Sequence, residues 1–198
     1  KKFISRDPRL SELGTGQDVA EMYSRENVFA MAYSARLTTT RKVEALIQQN
    51  LERGLDTFRT TQRIATLLRE PGAITRELDA DQLAQWTMAY AETVYRTNVS
   101  NAYTAGRFQV ATDPDVADYV PCMAFVTAGD SDVRANHAAG EGFLAATTDP
   151  VWQIRATPLG YRERCVNEMR TLDEAKAAGI VDRNGRIMPG RPRLPSDF

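Results

Sequence analysis

The chain of 198 residues has one histidine, His137, and two cysteines, Cys122 and Cys165. Two cysteines so far apart make neither a disulfide framework nor a CxxC redox or zinc-ribbon pattern, and a reducing compartment is the expected setting. No run of about 18 apolar residues occurs and no signal-peptide pattern opens the chain, so it reads as soluble, with no membrane partner. It begins on Lys1 rather than Met, which is compatible with a preceding segment. Glycines 140, 142 and 160 fit neither the GxGxxG nor the Walker spacing, so no nucleotide cradle, cofactor or small-molecule substrate is expected. An excess of charge of one sign is also missing. Lys and Arg number 25 against 26 Asp and Glu, and a net charge of -1 gives no global field toward DNA or membrane. Only four of the cations are lysines. Arginine's planar fork suits bidentate contacts at fixed interfaces, a weak pointer to assembly.

What is present is an apolar fraction of 42%, enough for a core, arranged largely at helical spacing. Residues 17–52 read as helix, with Val28, Met31 and Ala32 in a first part and Val43, Leu46, Ile47, Asn50 and Leu51 in a second. Thr38, Thr39 and Thr40 are expected to interrupt it, since threonine prefers caps to helix interiors. Gly54 closes the second part, and Asp56 or Thr57 caps a further helix running to Pro71. The longest candidate spans 78–108, started by Asp79 or Asp81, with Leu83, Trp86, Tyr90, Val94, Ala102 and Phe108 as its apolar stripe. Arg96, Thr97, Asn98, Ser100 and Asn101 interrupt that stripe with a polar band that needs partners.

Beyond Pro114 the pattern becomes mixed. YVPCMAFVTA suits a buried strand, small residues and turns continue to about 165, and a short helix is expected at 133–139. TLDEAKAAG is a capped short helix, and IVDRNGRIM a hairpin turning at Asn184 and Gly185. GRPRLPSDF reads as an extended tail. The fold class is therefore α+β, predominantly helical. The expected domains are a helical N-terminal region at 1–76, an α+β core at 77–182 and an Arg/Pro-rich tail at 183–198.

Asp130, Arg134 and His137 fall at spacings of four and three, which would share one face of a helical turn. On the plainest reading the Asp130 carboxylate caps or pairs with Arg134, and His137 bonds to a backbone carbonyl. Two sharper ones remain open: a zinc set of Cys122, His137, Glu163 and Cys165, and a Cys-His nucleophile pair, the basis of a hydrolase or transferase. Trp152 and Tyr161 are expected to anchor irregular backbone. Arg183, Arg186, Arg191 and Arg193 form a candidate partner-binding cluster, either for a neighbouring subunit or for DNA phosphates.

Three separated blocks, YRTNVSNAYTAGR, TAGDSDVRANHAAGEG and DPVWQIRATPLGYRERC, resemble in order and spacing the phage head morphogenesis family of Mu F-like minor head proteins. The likeness covers residues 40–170, and its pattern falls on Arg96, Thr97, Gly106, Arg107, Asp130, Arg134, His137, Gly142, Pro158, Gly160 and Cys165. Glu163 stands where the family pattern has the first cysteine of Cys-Arg-Cys, so a two-thiolate clip there would need Cys122. The resemblance implies a minor capsid protein made in the host cytoplasm and housed in the phage head, and not an enzyme. Its implied partners are the portal protein and other head proteins, with packaged DNA as an alternative. The faces of helices 17–70 and the arginine tail are the surfaces that would meet them. On this reading His137 is a structural pin bonded into the 158–165 loop.

Overall fold

A computed structural model describes residues 31, 33–54, 56–182, 184, 186–188, 195 and 198. Among them are six helices and one three-stranded sheet: α1 (Leu37–Arg53), α2 (Thr57–Leu68), α3 (Ala80–Ala111), β1 (Cys122–Val126), α4 (Ala135–Ala139), β2 (Leu144–Ala146), α5 (Trp152–Arg155), β3 (Val166–Arg170) and α6 (Leu172–Ala177). The class is α+β and predominantly helical. Two compact units divide within α3, one running to Val99 and the other from Ser100.

In the first unit, Val43, Leu46 and Ile47 of α1 pack with Ile64, Ala65 and Leu68 of α2 and with Tyr90, Ala91 and Val94 of α3. Gly54 ends α1 in the left-handed region at φ 59°, a conformation without steric cost for glycine. Asp56 caps α2 by accepting from Arg59 N–H at 2.7 Å, and Asp79 accepts from Gln82 N–H at 2.8 Å at the head of α3. The Thr38–Thr40 run does not break a helix: α1 begins at Leu37, so the threonines fill its first turn. The part of that expected helix at 17–30 lies outside the described residues. Tyr95 Oη donates to buried Asn50 Oδ1 at 2.6 Å, and Asn50 Nδ2 donates to Thr60 Oγ1 at 3.2 Å, so the core amide of α1 is tied to both α2 and α3.

In the second unit the sheet order is β2-β1-β3, antiparallel throughout. Because strand side chains alternate, central β1 feeds two cores. Met123 and Phe125 join Phe108, Phe143, Trp152, Cys165 and Phe198 on one face. Cys122 and Ala124 join Leu144, Ala175 and Ile180 on the other, where α6 packs. Thr171 opens α6 with a reciprocal capping box to Glu174. Strand β2 lies in the stretch expected to hold turns, and β3 occupies 166–170, a stretch with no expected element. The first is only LAA, and the second, VNEMR, carries polar side chains. Neither offers an apolar run to read, and both exist by pairing with β1.

The tail also differs from its expectation at one point. Phe198 is buried, with its ring 4.5 Å from Phe125 and 5.9 Å from Phe143, and Arg155 lies over it at 4.8 Å and donates to its carbonyl. Its ring lies so close over Gly140 that a Cβ there would meet it at 2.4 Å. An isolated bridge between Val181 and Ile187 forms the expected hairpin, with exposed Arg186 beside it. Arg183, Arg191 and Arg193 lie outside the described residues. Truncating a buried phenylalanine removes its transfer energy and leaves a cavity, a cost of about 3–5 kcal/mol. Phe198→Ala is therefore expected to lower the urea midpoint of the second unit, read through Trp152 fluorescence; an unchanged midpoint would place the ring outside the core.

Candidate functional site: a buried His-Glu-Cys cluster

The site is assembled from two segments of the second unit. One is the turn and short helix at 129–139, and the other is the loop that leads from cis Pro158 into β3. Arg162 takes φ 55°, a conformation sparsely populated by residues other than glycine. Just after it, the Glu163 carboxylate turns back into the loop, where Oε2 accepts from Leu159 N–H and, at 3.0 Å, from Gly160 N–H. Gly160 lies under Arg134, whose guanidinium would be 3.4 Å from an added Cβ.

Into this loop points His137. Its Nδ1 lies 3.4 Å from Glu163 Oε1 and 3.6 Å from Cys165 Sγ. All three side chains are taken out of water: His137 is 5% exposed, Cys165 3%, and the Glu163 side chain 1%. Glu163 Oε1 accepts no well-directed hydrogen bond. Burial raises the Glu163 carboxyl above its usual range against the lowering pull of the Gly160 and Leu159 amides. Burial, with the Arg134 and Arg155 charges, lowers the His137 imidazole. Burial, reinforced by Glu163, pushes the Cys165 thiol up to about 12. Burial thus favours the protonated thiol over the thiolate in the metal-free cluster.

Around the cluster, Arg164 grips Asp130 with two hydrogen bonds, at 2.5 and 2.6 Å. Arg134 Nη2 donates to Tyr161 C=O at 3.0 Å. Asp130, Arg134 and His137 do not share a helical face, because α4 starts only at Ala135. The aspartate pairs with Arg164, a partner the spacing argument missed because it lies 34 residues away. Cys122 is not part of the cluster: it lies on the α6 face of β1, and burial pushes its thiol up to about 12.

The other residues of the expected pattern play supporting parts. Gly142 sits at φ 72° and donates its N–H to Phe125 C=O, and Trp152 is fully buried with Nε1 donating to Ala146 C=O at 2.8 Å. Thr97 is buried on α3, and Arg96 is exposed and ion-paired with Glu92 at 2.7 Å. Gly106 and Arg107 follow on α3, where a Cβ on Gly106 would meet nothing within 4 Å. Thr157, next to Pro158, donates N–H and Oγ1–H to Asn167 Oδ1 and shares a hydrogen bond with Thr104 of α3, which ties the loop to that helix.

Residues 41–168, which hold every part of this cluster, match the family described as Phage Mu protein F like protein. The chain belongs to this family. The Mu F-like chain is also 24% identical over 166 residues to "Putative capsid assembly protein F" of Escherichia phage Mu, an alignment covering 81% of this chain and 36% of that relative. It thus spans about a third of the relative's length. No solved structure matches.

The Asp130–Arg164 pair gives a pH signature. Its hydrogen bonds with Arg164 hold the Asp130 carboxyl below its usual value. A depressed folded-state value contributes stability that is present above the unfolded value and lost as pH falls through the folded one. Acid titration of the chain is expected to show this loss, and Asp130→Asn to lower stability at neutral pH while flattening the acid limb. Identical pH profiles for the two proteins would refute the pairing.

Proposed function

We propose that this Mu F-like chain acts in head morphogenesis of a tailed bacteriophage, as a minor head protein that binds the portal or a neighbouring head protein during assembly. The observation that carries the reading is the family match across residues 41–168, supported by the capsid-assembly name of the phage Mu relative. The role is recognition, with no turnover. Among the described residues no helix is long and apolar enough to cross a membrane.

The first unit offers a surface of the kind such binding uses. Leu37 and Leu51 of α1 and Phe58 of α2 are 65%, 40% and 62% exposed. A groove of about 420 Å³ runs between the two helices, lined by Ala45, Leu46 and Leu67 with Lys42, Gln49 and Arg63 around them. An apolar floor rimmed by polar side chains is the usual anatomy of a protein-binding patch. The protein would reside in the phage head, having been made in the host cytoplasm.

Co-expression with the portal protein of the same phage, followed by mass measurement of the purified complex, tests this. Stable co-migration is expected, weakened by Phe58→Asp, which puts a charge in place of an exposed apolar side chain of α2. A folded chain that associates with neither portal nor other head proteins would overturn the reading.

A further inference from the structure

We infer that His137, Glu163 and Cys165 form a binding site for one zinc-class metal ion that fastens the 158–165 loop to α4. These three are the group whose potential ligand atoms all lie within 4.8 Å of one another among the described residues. The inference goes beyond the assembly role and does not rest on it.

The spacing of the ligand atoms is the first support. A tetrahedral zinc ion bonded at about 2.0 Å to nitrogen, about 2.1 Å to oxygen and about 2.3 Å to sulfur sets N and O about 3.4 Å apart and N and S about 3.5 Å apart. Here Nδ1 lies 3.4 Å from Glu163 Oε1 and 3.6 Å from Cys165 Sγ.

Hydrogen bonding accounts for only part of the same geometry. A neutral imidazole's Nδ1 carries either one proton or one lone pair, so it can serve the carboxylate or the thiol but not both, and the remaining contact falls to the Cys165 thiol as donor to Glu163. The buried Oε1 already lacks a directed donor. A cation between the three atoms would use one lone pair from each, and a thiolate and carboxylate together would balance its double charge. Glu163 is held ready by the Leu159 and Gly160 amides on Oε2, which fix the carboxylate with Oε1 turned toward His137. Such supporting contacts orient ligands in known metal sites.

A hollow of about 70 Å³ adjoins the cluster, bordered by Ala128, Asp132, Arg134 and Arg162. It has room for a water molecule, whose share of the liquid is about 30 Å³. Three protein ligands with water in the fourth position complete a tetrahedron.

The chain has only two cysteines, so the sulfur can be assigned without disturbing the site. The Cys122→Ser protein, freed of metal with a chelator and titrated with cobalt(II), is expected to bind one equivalent. It should show tetrahedral d–d absorption and a thiolate-to-cobalt charge-transfer band, both erased by added zinc. Cys165→Ser should lose the charge-transfer band, and Glu163→Gln should weaken zinc binding by at least the ~10–100-fold that loss of a supporting partner costs. Absence of cobalt absorption from the folded Cys122→Ser protein would overturn the inference, as would a charge-transfer band that survives Cys165→Ser. The first of these needs no change to a proposed ligand, so a Cys165 variant that fails to fold does not blunt the test. Portal association is a separate readout, and neither result decides the other.

Discussion

A carboxylate almost wholly removed from water is the constraint on which the loop between α5 and β3 depends. An isolated charge in a protein interior is costly, so a buried carboxyl must be protonated, hydrogen-bonded or joined to a cation. Glu163 directs one oxygen to two backbone amides and the other to His137. Arg162 reaches the left-handed region at the turn that brings this carboxylate back. Arg134 lies over Gly160 and holds the Tyr161 carbonyl. The bidentate Asp130–Arg164 pair closes the same junction from its exposed side.

The junction is supported from beneath by the sheet. β1 has both faces covered, so its alternation delivers Phe125 beneath His137, with the two rings edge to face at 6.1 Å. Asn167, fully buried on β3, holds Thr157 at the mouth of the loop. Cys165 immediately precedes that strand, so strand pairing sets its position within the core. Asp130, Arg134, His137, Pro158, Gly160 and Cys165 of the family pattern all lie in or against this loop.

Much of the fold was legible because its signals are local. Asp56, Asp79 and Thr171, each one of two nearby candidates, cap their helices, and Gly54 ends the helix it was expected to end. β1 was visible as a run of apolar residues. The strands β2 and β3 were not, because three small residues and a polar-rich pentapeptide become strands only beside a partner already in place. The docking of Phe198 was hidden for a similar reason: a single ring after a Pro/Arg stretch has no period, and its pocket is built by Phe125, Phe143 and Gly140.

By itself the sequence determined the helical and strand segments with strong local signals, the α+β class and, through three motif blocks, the family. Only the tertiary structure decided which side chains share the site. It chose Arg164 over Arg134 as the partner of Asp130, and it separated Cys122 from Cys165 by placing them in different cores. The physical reason is range. Caps, turns and periodicity act over a few residues and are written in neighbouring letters. A cluster joining position 137 to positions 163 and 165 depends on strand register and on one left-handed turn, which no local pattern specifies.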